Sequence, residues 1–153
     1  MQGLAAIENK RQLAEDLLIK LETGEYMMRI LSEYEAEICD MNAREQLFEK
    51  GIDATGASIA DYAPYAPLTI EYKVMKGQPV NRVTLRDTGD FHASFYLTID
   101  PDKFSIWAGD DKTAKLVKQY GGEIFGLTPQ NIEVLISEYV YPELRERANK
   151  LLG

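Results

Sequence analysis

Cysteine and histidine are almost absent from this 153-residue sequence, which contains one of each, Cys39 and His92. A single cysteine cannot form an internal disulfide, and its neighbours Ile38 and Met41 favour a buried structural thiol. No CxxC or HExxH pattern occurs, so the sequence indicates no metal site. Ser94 lies two residues from His92, too near along the chain for a Ser-His-Asp triad. We therefore predict no catalytic residue and interpret His92 as a surface or half-buried residue of a short helical segment.

Basic residues are also in short supply, since 17 Lys and Arg stand against 25 Asp and Glu, for a formal net charge of −8. DNA-binding proteins draw most of their affinity from Lys and Arg side chains that neutralise phosphates. The charge balance therefore argues against a dedicated nucleic-acid binder and leaves at most non-specific proximity to DNA. The 11 glycines never form a GxGxxG or Walker pattern, so we predict no phosphate cradle and no cofactor.

Long hydrophobic runs are missing too. No stretch approaches the roughly 20 apolar residues that a membrane span needs, so we expect no membrane partner. Hydrophobic residues still make up 45% of the chain, which is ordinary for a globular domain. The length fits one domain, and we expect the protein to be made in the cytoplasm.

The first 50 residues predict a helical region. Leu13, Leu17 and Leu21 recur at spacing four within a predicted helix over residues 4–22, which is interrupted at Thr23-Gly24. A second helix is predicted over residues 25–50, because its apolar residues follow one stripe at steps of three and four. Gly51 is a natural stop for it.

Residues 51–80 lose this periodicity because six glycines and prolines interrupt them, although a short helical turn is predicted over residues 68–76. Aromatic residues on irregular segments are enriched at interfaces, and the alternative is that they hold the loop against its own core. We predict an intersubunit interface in this segment and leave the alternative open. Its candidate residues are Tyr62, Tyr65, Pro67, Leu68 and Tyr72.

The clearest β signal lies between residues 95 and 108. Two runs of alternating apolar and polar residues, 95–99 and 104–108, flank an Asp/Pro turn that starts at Asp100-Pro101, which predicts an antiparallel hairpin. Residues 83–85 are predicted as a further short strand. Two helices follow, the first ending at Tyr120.

The closing helix is predicted to begin at Thr128, and Pro142 should kink or break it. The predicted fold class is therefore α+β: a small antiparallel sheet with a central hairpin, flanked by N-terminal helices and a C-terminal helix.

Three segments carry a resemblance through their order and spacing. They are Tyr65-Ala66-Pro67-Leu68-Thr69 with Tyr72-Lys73, the segment VTLRDTGDFHASF at 83–95, and AKLVKQYGG at 114–122 followed by Gly126-Leu127-Thr128. They resemble the virion-morphogenesis or tail-completion (neck) proteins of tailed bacteriophages over residues 51–152. That family shows an aromatic-x-Pro-Leu-Ser/Thr element, then Leu-x-x-Thr-Gly-x-Leu/Phe-x-x-Ser, then Tyr/Phe-Gly. Here Lys118-Gln119 stands where the family commonly has a His before its aromatic-Gly.

The resemblance implies a structural virion protein that forms a homo-oligomeric ring at the head–tail junction and contacts portal, neck or tail proteins. It further implies an α+β core over residues 51–153 after the helical region 1–50, with Thr88-Gly89 as a structural turn. Two alternatives belong to other classes. One is an adaptor module that binds a partner through its helices, and the other is an enzyme that uses two of the 25 acidic residues.

Overall fold

The computed structural model of the protein describes residues 2–152, with side chains described for residues 3–22 and 24–151. Helices dominate, and the sheet of the described residues is one antiparallel pair, which confirms the α+β class with its N-terminal helices and C-terminal helix. In chain order the elements are α1 (Gln2–Thr23), α2 (Glu25–Glu33), α3 (Glu35–Asp40), a first π-helical segment (Met41–Lys50), α4 (Ile59–Tyr62), α5 (Pro67–Met75), α6 (Asp90–Ala93), β1 (Phe95–Ile99), β2 (Phe104–Ala108), α7 (Thr113–Tyr120), a 3-10 turn (Gly122–Ile124), α8 (Pro129–Val134), a second π-helical segment (Leu135–Val140) and α9 (Tyr141–Leu152).

The chain divides into two compact units. The first contains the segments up to Tyr34, Ile99–Phe104 and from Glu133 onward, and the second contains Glu35–Thr98 and Ser105–Ile132. In the first unit α1 packs against α2 and α9. The Tyr34 ring meets the edge of Tyr139 with centroids 5.1 Å apart, and its hydroxyl donates to Glu143 Oε1 at 2.9 Å. These contacts tie α2 to the C-terminal helical run.

The N-terminal helical region agrees with the sequence for α1 and departs from it afterwards. The single helix predicted over residues 25–50 is interrupted at Tyr34, whose φ of −106° and ψ of 23° leave the helical region. Tyr34 is also where the N-terminal segment of the first unit ends. Residues Met41–Lys50 are π-helical and end at Gly51, as predicted, with a left-handed φ of 64°. A Cβ at Gly51 would lie 2.8 Å from the Cβ of Arg82. Glycine is therefore required at this position both by the left-handed φ and by the lack of space for a side chain.

The hairpin is confirmed. Leu97, Ile106 and Ala108 are buried, whereas Tyr96 and Trp107 on the other face are exposed, so the alternation was read in the right register. The backbone N–H of residue 100 donates to the carbonyl of residue 103 at 2.9 Å and closes the turn.

The further strand predicted over residues 83–85 is wrong. Thr84 is buried, but its backbone N–H donates to the hydroxyl of Tyr65 at 2.8 Å and not to a strand. Leu85 has a φ of 55°, which is incompatible with an extended run. The Tyr65 hydroxyl therefore satisfies the backbone N–H of Thr84, which a neighbouring strand would otherwise have bonded.

Two other segments are more helical than predicted. The irregular stretch 51–80 contains α4 and α5, and α5 agrees with the helical turn predicted over 68–76. The break predicted at Pro142 is absent, since α9 begins at Tyr141 and continues through it. Because proline lacks an N–H and crowds the preceding turn, the wider π-helical turns just before it accommodate the ring without ending the helix.

Candidate interaction surface

Helix α5, in the second unit, has its polarity inverted. Its one buried residue is Lys73, at 7% exposure, while its large apolar side chains face outward. Leu68, Tyr72 and Met75 are 77%, 51% and 86% exposed. They recur at steps of four and three and so share one side of the helix. With Thr69 and Glu71 they line an open groove of about 430 Å³.

The buried side of α5 is held by polar contacts. The Lys73 ammonium donates to the carbonyl of Arg86 at 2.9 Å and to Gln78 Oε1 at 3.3 Å, and it lies 4.9 Å from the ring centroid of Tyr65. A buried ammonium needs such partners because desolvation alone would be costly. The helix is therefore docked through a lysine, and its apolar residues are left on the outside.

The five predicted interface residues separate into two groups. Pro67, Leu68 and Tyr72 are exposed on α5, and two of them line its groove. Tyr65 instead points into the second unit, where its hydroxyl accepts the N–H of Thr84 and lies 3.3 Å from that residue's Oγ1. For Tyr65 the contacts agree with the alternative, in which the aromatic holds the loop to its own core.

Tyr62, on α4, is half exposed, but its hydroxyl is committed to the local turn. It donates to Asp53 Oδ2 at 2.9 Å, and burial together with that carboxylate raises the pKa of Tyr62 to about 12. Asp53 also accepts the Thr55 hydroxyl at 2.6 Å and the backbone N–H groups of Thr55 and Ala57 at 2.9 and 3.1 Å. Burial raises the pKa of Asp53, yet these hydrogen bonds outweigh it and hold that pKa below its usual value.

Sequence reasoning missed Met75, the most exposed member of the groove. The signal was available, because Leu68, Tyr72 and Met75 fall on one helical side once 68–76 is taken as helix. Nothing local revealed that Lys73 would take the inner side, since its partner carbonyl at Arg86 lies 13 residues further along the chain.

Thr88 and Gly89 lie where the chain enters α6. Gly89 has a left-handed φ of 96°, and Thr88 Oγ1 accepts the N–H of Asp90 at 3.3 Å. The preceding Asp87 pairs with Lys76, just past the end of α5, and that hydrogen bond holds the pKa of the Asp87 carboxyl below its usual range. The turn therefore sits beside the anchored end of α5.

His92 and Cys39 line a common cavity of about 430 Å³ in the second unit. Burial lowers the pKa of His92 to about 4, against the opposing effect of a hydrogen bond to the Thr84 backbone. Burial, with the nearby Glu35, raises the pKa of the Cys39 thiol to about 11. Both groups are thus neutral near pH 7, and a neutral thiol is a poor nucleophile. His92 is half-buried, and its Nε2 has no hydrogen-bond partner among the described residues.

Residues 2–152 bring together no group of three or more His, Cys, Asp or Glu side chains that could hold a metal ion. No helix in that same range combines the length and the hydropathy needed to cross a membrane. Comparison of the chain with protein-family models, with curated proteins and with solved structures found no match.

Proposed function

We propose that this protein is a structural virion protein of a tailed phage that assembles into a ring at the head–tail junction through the outer side of α5. The observation that carries the proposal is the inverted polarity of that helix. A monomer gains nothing by exposing Leu68, Tyr72 and Met75 to water, whereas a subunit that buries them against a neighbour does. The class of particle comes from the three sequence elements that resemble tail-completion proteins.

A ring requires two different surfaces on each subunit, because every copy must offer one side to the neighbour before it and another to the neighbour after it. The outer side of α5 is one such surface. The outer face of the hairpin is the second, since Tyr96 and Trp107 are both exposed there. Tyrosine and tryptophan bury a large area for little loss of rotamer freedom, which suits an interface. The ring therefore places α5 of one copy on the hairpin of the next.

The test is the state of assembly of the purified full chain. We expect mass photometry and negative-stain electron microscopy to show a closed ring of many copies, and Leu68→Glu to give a folded protein that forms no ring. Gln119→Glu adds the same charge on the exposed side of α7 and should leave the ring intact. A wild-type chain that stays monomeric at high concentration, or that forms only a discrete complex with one host protein, would refute the ring.

The particle assignment has its own test. We expect the protein to be present in purified tailed-phage particles and to be labelled by antibody at the neck. Particles that form normally and contain none of it would refute the virion assignment, and the adaptor reading would then be favoured.

A further inference from the structure

Helix α1, in the first unit, is almost entirely exposed. Every side chain from Gly3 to Gln12 is exposed, and Leu17 is its one buried residue among those described. The helix has 22 residues and so spans about 33 Å. Isolated helices of this composition are marginal in water, and most helical stability in proteins comes from packing an apolar side. One buried leucine is a small packing contribution for so long a helix.

Four exposed apolar residues of α1, Leu4, Ile7, Leu18 and Leu21, fall on a heptad pattern. With the charged Arg11 and the half-buried Ala14 the series advances by steps of three, four, three, four and three. These are the alternating core positions of a coiled coil over about three heptads. The stripe lies on a different side of the helix from Leu13 and Leu17, which turn toward the first unit. One side of α1 therefore packs against helices of its own unit, and a second side carries a pattern that suits packing against another helix.

The charges beside the stripe identify the partner. The positions on one flank are Glu8, Glu15 and Glu22, and the other flank carries Gly3, Lys10 and the buried Leu17, of which Lys10 is the charged one. In a parallel pair of identical helices, Lys10 of one copy faces Glu15 of the other, which is an attraction. In an antiparallel pair the glutamates of one copy face those of the other, which is a repulsion.

The one charged residue inside the stripe fits the same arrangement. Arg11 is paired with Glu8 on its own helix, so its charge is balanced before association. A single polar residue at such a core position fixes the register of a coiled coil at some cost in stability.

We propose that α1 is a self-association element that forms a two-stranded parallel coiled coil with α1 of a second copy of this chain. The contact is separate from the α5 surface, and neither requires the other. It gives each subunit a second, two-fold contact in addition to the neighbours that a ring supplies.

Adjacent residues of α1 provide a matched pair of variants. Leu18 and Ile19 are 56% and 58% exposed, but only Leu18 lies in the stripe. The two aspartate variants are to be compared in the Leu68→Glu background, which removes the α5 contact. Sedimentation equilibrium measures the dissociation constant of each. The parent should be a dimer. Leu18→Asp should raise its dissociation constant about tenfold or more, as expected when one buried leucine per copy is lost. Ile19→Asp should change it less than about threefold.

Orientation is tested by disulfide trapping in a Cys39→Ser, Leu68→Glu background. In the parallel pair the two copies of residue 7 face each other, so Ile7→Cys should give a covalent dimer under mild oxidation. Asn9→Cys, on the far side of the helix, should not. An antiparallel pair would instead bring residue 7 opposite residue 18, and trapping only between Ile7→Cys and Leu18→Cys chains would overturn the proposal. A parent protein that remains monomeric would overturn it as well, while leaving the α5 ring to be judged on its own experiment.

Discussion

The side-chain oxygen of Gln46 accepts the backbone N–H of Thr128 at 2.9 Å, across 82 residues of chain. The same amide donates to the carbonyl of Gly126 at 2.9 Å, and its oxygen also accepts Asn131 Nδ2 at 2.8 Å. One turn earlier, Asn42 donates to the carbonyl of Ile124 and accepts the N–H of Gly126, both at 2.9 Å. Two buried side-chain amides of the first π-helical segment thus hydrogen-bond the backbone N–H and carbonyl groups of the loop that leads to α8.

Removing the Gln46 amide should therefore destabilise the second unit strongly. Gln46→Leu keeps the bulk of the side chain but leaves the Thr128 N–H and the Gly126 carbonyl buried without partners. We expect a loss of about 2–4 kcal/mol in the free energy of unfolding, measured by urea titration. Gln130→Leu, on the exposed side of α8, is the control and should change stability by less than about 0.5 kcal/mol. Equal effects in the two variants would show that the network is not what holds the loop.

The hairpin gives a second prediction, because its two faces differ in burial. Leu97→Asp places an unpaired charge in the core and should cost several kcal/mol, roughly 3 or more. Thr98→Asp, one residue along on the exposed face, should cost less than about 1 kcal/mol. Thermal unfolding followed by circular dichroism measures both. Both changes are made in the Leu68→Glu, Leu18→Asp background, which forms no ring, so similar losses would mean that the outer face is covered within the subunit itself.

Some of the fold followed from local pattern. The hairpin was predictable because alternation and the Asp100-Pro101 turn lie within 14 consecutive residues. The interruption at Tyr34 and the π-helical turns were not, because apolar steps of three and four look the same in an α-helix and in a π-helix. Two residues of that segment, Asn42 and Gln46, bind a loop more than 80 residues further along the chain, and no local pattern shows this contact.

The exposed side of α5 could be predicted in part. Leu68 and Tyr72 were identified because they are apolar or aromatic within a segment rich in proline and glycine. Tyr65 was placed with them although it faces inward, since its partner Thr84 belongs to a stretch that the sequence predicted as a strand. The inner role of Lys73 depends on a carbonyl that only the folded chain supplies.

A third prediction concerns acid. Burial lowers the pKa of His92 to about 4 in the folded chain, whereas an unfolded histidine has a pKa of 6.5. As pH falls below 6.5, His92 becomes protonated in the unfolded state but stays neutral in the folded state. The free energy of unfolding should therefore decrease until about pH 4, where the folded state also binds the proton. The wild type should lose roughly 3 kcal/mol more than His92→Leu across this window. Urea titrations at pH 7, 5.5 and 4 measure the difference, and parallel curves for the two proteins would contradict it.

The last prediction asks which surfaces meet in the ring. Leu68→Glu disables the α5 side of a subunit and keeps its hairpin, whereas Tyr96→Glu disables the hairpin and keeps α5. Each variant alone should fail to form rings. In an equimolar mixture, the intact α5 of the second variant can still meet the intact hairpin of the first, and this pairing uses up the only two working surfaces. We therefore expect a discrete heterodimer through this contact, with one copy of each variant and no ring.

Both variants carry the Leu18→Asp change in α1, so that no other association contributes. Native mass spectrometry on isotope-labelled chains distinguishes the mixed dimer from either homodimer. If α5 packed on α5 of its neighbour instead, Leu68→Glu would have no partner surface in the mixture, Tyr96→Glu would pair with itself, and the mixed species would be absent.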